Sequence, residues 1–236
     1  SRIIMYSCKR KYKICLWFFM IGIFSLIGQR EDRKRLAISP FENLKISSNI
    51  DVNLIQSEAN VLVVYGENSD NIIVSIKRGE LKINLIGGNI LNPEKTKIEL
   101  YHSNSLKKIV VLKGASLSTK YHINQERLTL EAKLNGIIDL DISAEKLKTN
   151  ISLGGRVYLK GKVINHKLII YTSGVCEAEN LDSEQTKLTS KGAAYAYVKT
   201  NSLLRAKIYG GVIREFGNPK KRNIEKRFGG KIYIEK

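Results

Sequence analysis

Proline is nearly missing from this chain, with 3 in 236 residues, and cysteine and histidine are equally scarce at 3 each. No proline-rich or Gly/Ser-rich stretch marks a linker, so one continuous body is the simplest organisation. The few cysteines exclude a disulfide-stapled scaffold. Cys8 and Cys15 lie within the first 28 residues and would leave with an N-terminal signal, which leaves Cys176 without an internal bridging partner. Cys176 reads as a buried small hydrophobe rather than a nucleophile. His102, His122 and His166 are dispersed, and none has a His or Cys at ligand spacing. They read as surface or strand histidines, and no metal site is implied. Glycine pairs such as Gly154-Gly155 lack the following lysine and helix of a phosphate loop, and nothing implies a cofactor. No long stretch repeats apolar residues every 3.6 positions, so helix content is expected to be small.

Acid is absent from residues 1–28, whereas Arg2, Lys9, Arg10, Lys11 and Lys13 make a basic start. Ile14 to Gly28 is then uncharged and largely apolar. This is the order of a secretory signal peptide, and the run is short for a membrane span, although an uncleaved anchor remains the alternative. Residues 29–40 form a short basic lead-in, and residues 41–236 are expected to form one domain. Without the signal, 35 Lys+Arg stand against 22 Asp+Glu, or +13. Such a surface attracts polyanions. Nucleic acid is not expected, because no binding motif or aromatic-interleaved basic stretch is present. A lysine-rich solvated face that guards sheet edges explains the charge equally well.

What is present is a repeat. Gly136, Gly155, Gly174, Gly192, Gly210 and Gly229 follow at spacings of 19, 19, 18, 18 and 19 residues. A fixed period of this size signals a solenoid. Aligned on these glycines, apolar or small columns recur: Leu130, Thr149, Leu168, Thr186 and Leu204, then Ala132, Ile151, Ile170, Leu188 and Ala206. Polar columns alternate with them, which means strands with one face in and one face out. A rung of this size buries its core only by stacking on its neighbours. The shared glycine fits a bend that needs positive φ or no Cβ. A β-sandwich with glycine-rich turns competes, but its turns need not keep register.

Residues 41–112 read as less regular strands and hairpins that cap the first rung. Phe41-Glu42-Asn43-Leu44-Lys45-Ile46 and Ile50-Asp51-Val52-Asn53-Leu54 alternate, and Tyr65-Gly66-Glu67-Asn68 is turn chemistry. These segments, with Gly79-Glu80-Leu81-Lys82-Ile83, Phe216-Gly217-Asn218-Pro219 and Gly229-Gly230-Lys231-Ile232, resemble the bacterial head GIN domain family of auto-transporter adhesins, common in Bacteroidetes. The resemblance spans roughly residues 41–234. It implies an all-β fold, a right-handed single-stranded parallel β-helix, and a location in the periplasm, outer membrane or cell surface. The family's Gly-Ser-Gly-Asp-type turn keeps its glycine here and loses its acid, as in Ser173-Gly174-Val175.

No catalytic constellation is evident. Asp139 and Asp141 share an outward face, and Glu177 and Glu179 are aligned with them two rungs later; paired carboxylates on a β-helix keep a carbohydrate-active enzyme open. The outward tyrosines are the more informative feature. Tyr158 and Tyr195 align in one column, and Tyr197 aligns with Lys160. Tyr171 and Tyr209 point outward before the bend. Exposed tyrosines mixed with lysine suit an acidic glycan or a surface protein, although tyrosine is also simply a good strand former. The candidate ligand-binding residues are therefore Tyr158, Lys160, Tyr195 and Tyr197, in an exported binding or structural protein of the envelope. A membrane is met only through the N-terminal segment, if that is uncleaved.

Overall fold

The computed structural model describes residues 33–87 and 95–235. The expected signal lies outside the described residues. The strands in chain order are β1 (Arg33–Ala37), β2 (Asn43–Ser47), β3 (Ile50–Gln56), β4 (Val61–Tyr65), β5 (Ile72–Lys77) and β6 (Glu80–Leu85). They continue with β7 (Thr96–His102), β8 (Lys108–Leu112), β9 (Ser116–Lys133), β10 (Ile137–Ser152) and β11 (Arg156–Tyr171). The last are β12 (Val175–Lys191), β13 (Tyr195–Tyr209), β14 (Val212–Glu215), β15 (Lys221–Arg227) and β16 (Lys231–Ile234). Together they form a β-solenoid of about seven turns.

From β9 to β13 every pairing is parallel and one rung leads to the next. Alternation puts every second side chain inside. Leu44, Ile109, Leu130, Thr149, Leu168, Leu188 and Ala206 stack in one buried column. Ile46, Val111, Ala132, Ile151, Ile170, Ser190 and Ile208 stack in the next. Each fully buried leucine or isoleucine in these columns contributes roughly 1.5–3 kcal/mol. In β10 and β11 the alternation breaks at two consecutive outward residues, Glu145 with Lys146 and Ile164 with Asn165. That break bends the rung into two segments.

The glycine register differs from the sequence reading. The carbonyls of Ala115, Gly136, Gly155, Gly174, Ala194 and Gly211 each accept the N–H that opens the following rung, from Ile137, Arg156, Val175, Tyr195, Val212 and Lys231. Ala194, not Gly192, thus continues the column of Gly174, and Gly211 and Gly230 continue it in place of Gly210 and Gly229. The slip arises in β12, which carries extra residues between Ala178 and Asp182 where it meets β13. It amounts to two residues at Ala194, which exchanges columns without exchanging faces, and to one at Gly211, where Ile213 and not Val212 is buried. Leu188 and Ala206 are buried as expected, but Leu188 stacks on Leu168 rather than on Ile170. The glycines at Gly136 and Gly155 are required by close approach: a Cβ would collide with the carbonyl oxygens of Val111 and Ala132. Positive φ falls on the residues just before them, Leu134 and Asn135, then Leu153 and Gly154.

The N-terminal region is more regular than its sequence. β3 lies between β7 and β9, and β2 between β6 and β8, all parallel. The first rung in sequence is therefore an inner rung in space. Among the described residues the antiparallel pairs are β1 with β4, β4 with β7 and β5 with β6, and β1, β4 and β5 close this end. β1 brings part of the expected lead-in onto the fold.

Candidate functional site

The segment of each rung before the bend carries the predicted residues. All four point outward: Tyr195 and Lys160 are exposed, and Tyr158 and Tyr197 are half-buried. Their alignment is corrected by the two-residue slip. Tyr158 is in register with Glu177, Glu177 with Tyr197, Tyr197 with Arg214, and Arg214 with Tyr233. Tyr158 and Tyr197 thus share a column two rungs apart, about 10 Å. Tyr195 occupies the adjoining outward column, between Val175 and Val212. Lys160 lies opposite Asp141 and Asn180, not beside Tyr197.

The column is built as a platform. The ring of Tyr197 stacks on Phe216 with centroids 6.4 Å apart. The Arg214 guanidinium lies 5.7 Å over the Tyr233 ring and is held by Glu235 at 2.9 Å. Phe216, Arg214 and Tyr233 were missed in the sequence because the slip hides their register. Beyond the bend, Lys191 lies between Tyr171 and Tyr209, 5.7 and 5.9 Å from their centroids. Lys148, Lys167, Lys187 and Arg205 fall in a single column of that same segment. Their only signal in the sequence is a spacing of 19, 20 and 18 residues.

The titratable groups have been redistributed by folding. Of the two readings of His166, strand rather than surface holds: it is buried in β11, 3.1 Å from the Thr149 hydroxyl, and burial pushes it down to about 4. His102 is buried as well, with Nε2 2.7 Å from the Tyr121 hydroxyl. Burial lowers the imidazole and pushes the Tyr121 phenol up to about 12. Cys176 is buried between Val157 and Ala196, and burial raises its thiol out of reach of ionisation at neutral pH.

The carboxylates do not make the pair expected of a glycosidase. Asp139 is exposed, while Asp141 bonds His122 Nδ1 at 2.6 Å and lies 3.6 Å from Lys160. Glu177 keeps the column of Asp139, but Asn180, not Glu179, follows Asp141 and Lys160. His122 Nε2 lies 2.8 Å from the Ser143 hydroxyl, so Asp141, His122 and Ser143 form a polar chain. Ser143 is paired on both sides, with Asn124 and Lys162, so its backbone belongs to the ladder. Among the described residues no group of three or more His, Cys, Asp or Glu could hold a metal ion.

Several solved structures share this architecture. A "putative adhesin" from Bacteroides fragilis matches with a TM-score of 0.79 at 21% identity, covering 88% of this chain and 98% of that one. A "putative adhesin" from Parabacteroides distasonis matches with a TM-score of 0.65 at 18% identity, over 87% and 97%. A "putative lipid binding protein" from the same species matches with a TM-score of 0.61 at 17% identity, over 89% and 98%. At these identities the likeness concerns the fold. No curated protein matches the chain. The family model described as "Putative auto-transporter adhesin, head GIN domain" matches residues 40–219, so the chain belongs to the head GIN domain family.

Proposed function

We propose that this protein is an exported, surface-located adhesin-type binding protein that recognises a glycan or a partner protein through the outward wall of its solenoid. The observation that carries this is the column Tyr158, Glu177, Tyr197, Arg214 and Tyr233, presented by rigid parallel strands. Tyrosine offers a large amphipathic contact with few rotatable bonds, so little entropy is lost on binding. Phe216 behind Tyr197 and Glu235 beside Arg214 hold two members of the column in place. Lys160 and the positive balance supply attraction and on-rate. The family supports a surface role, and the basic, acid-free start followed by an apolar run supports export.

The platform favours binding over the carbohydrate-active alternative. Asp141 is engaged by His122 and Lys160, and Glu177 is flanked in its column by Tyr158 and Tyr197. Two experiments test the proposal. Expressed in its native host, the mature protein should begin near Gln29 and fractionate with the envelope; a full-length cytoplasmic product contradicts export. The purified chain should bind a restricted set on an array of glycans and matrix proteins. Turnover of any glycan on that array would favour the enzyme instead.

A further inference from the structure

We propose that Lys148, Lys167, Lys187 and Arg205 form a second site, one that takes a linear acidic polysaccharide lying along the solenoid with one carboxylate per sugar facing successive rungs. This rests on the reading of the chain as a surface glycan binder, but it uses the segment beyond the bend, not the tyrosine column.

Register makes the column. Lys148 pairs with Lys167, Lys167 with Lys187, and Lys187 with Arg205 in three consecutive parallel pairings. At about 4.8 Å per rung the four cations span about 14 Å. A polymer with one charge per sugar repeats at a comparable interval, so charge can meet charge without either chain bending. All four side chains are exposed. Among the described residues none of the four takes part in an ion pair, whereas Lys108, Lys133, Lys160, Lys199 and Lys207 all do.

The surroundings are those of a groove. A cavity of about 410 Å3 runs along this column, and its walls add Arg127 and Lys146. The lining has six cations and no carboxylate. Like charges directly opposite on neighbouring strands destabilise a sheet, so four in succession are unfavourable for the fold alone. Lysines that guard a sheet edge do not account for them, because β10, β11 and β12 are paired on both sides. A polyanion supplies the missing counter-charge. The lining contains no Phe, Tyr or Trp, so it lacks the base-stacking platform of single-strand nucleic-acid grooves. The charges line a groove, whereas a bilayer surface engages protruding basic and apolar side chains.

The test uses the full chain and oligogalacturonates of increasing length, with neutral dextran, single-stranded DNA and phosphatidylglycerol vesicles as comparisons. Affinity should rise with each sugar to about four units, matching the four-rung span, and fall with added salt. Neutralising the column together (Lys148→Gln, Lys167→Gln, Lys187→Gln, Arg205→Gln) should weaken binding at least about tenfold without lowering the melting temperature. Neutralising Lys77, Lys97, Lys113 and Lys120 removes the same net charge elsewhere and should cost less than about threefold. If the fourfold column variant fails to fold, Lys167→Gln and Lys187→Gln singly must each weaken binding more than Lys113→Gln. Equal losses in the two fourfold variants would reduce the effect to net charge and overturn the site. Tighter binding to DNA or vesicles than to galacturonate would overturn the ligand class. If Tyr158→Ser with Tyr197→Ser abolishes galacturonate binding and the column variant does not, the polymer lies on the tyrosine wall; the second site then fails while the surface-binding proposal stands.

Discussion

His166 Nε2 and the Thr149 hydroxyl lie 3.1 Å apart on adjacent rungs, both fully inside the solenoid. The ring is neutral there, with a pKa pushed down to about 4 by burial. The unfolded chain takes up a proton near the ordinary value of about 6.5, which the native state refuses. Stability from this group is therefore complete above about pH 6.5 and is lost as pH falls toward about 4. The loss is at most roughly 3 kcal/mol. His102, also lowered by burial, acts in the same direction. Melting temperature should drop between about pH 7 and about pH 4.5, and His166→Leu should flatten most of that slope. An unchanged slope in the variant would mean that His166 titrates normally.

Gly155 tests the register. A methyl there would meet the carbonyl of Ala132, in a column whose carbonyls accept the next rung's N–H. Gly155→Ala should cost about 1–3 kcal/mol, the usual range for overpacking. Ala194 already carries a methyl at the equivalent place two rungs on, so Ala194→Gly should cost clearly less. Denaturant midpoints of the two variants decide the matter, and equal effects would argue against the corrected alignment.

Glu215 is buried yet receives N–H donors from Thr200 at 2.7 Å and Gly217 at 2.8 Å on one oxygen. The Thr200 hydroxyl donates to its other oxygen at 2.9 Å. Burial raises this carboxyl against the lowering effect of those donors. Glu215→Leu removes the acceptor and orphans buried donors, each costing about 1–3 kcal/mol. Hydrogen exchange should quicken first in β13 and β14 and leave β9 and β10 protected, because each rung depends chiefly on its neighbours. Uniform acceleration through the chain would show that the solenoid opens as one unit.

The extent to which the sequence was readable follows from these same residues. From Gly136 to Gly174 the 19-residue period is strict, and the predicted columns hold. Past Ala178 the rung lengthens, and with alanine in the glycine's place at Ala194 the visible glycines mark the turn rather than the column. At Ala194 the offset is two residues, so inside and outside survive there while neighbours do not; at Gly211 it is one, and Ile213 takes the buried place beside Val212. Tyr158 was matched to Tyr195 when its column mate is Tyr197. The placement of β2 and β3 between later strands was not legible, since stacking order leaves no mark on alternation. His166 is a strand histidine, but its burial was not legible, because the column Leu128, Leu147, His166, Thr186 and Leu204 holds a polar ring through its bond to Thr149.

If the tyrosine column binds a ligand, as proposed, rather than merely covering the sheet, its loss should abolish binding and leave the fold intact. The most direct measurement compares wild type with the double variant Tyr158→Ser and Tyr197→Ser on the same glycan and matrix-protein array, with melting temperatures recorded alongside. Both side chains point outward, so the variant should lose its array signal while its melting temperature falls by no more than about 4–8 °C. An undiminished signal from a folded double variant would mean that the column is sheet surface only.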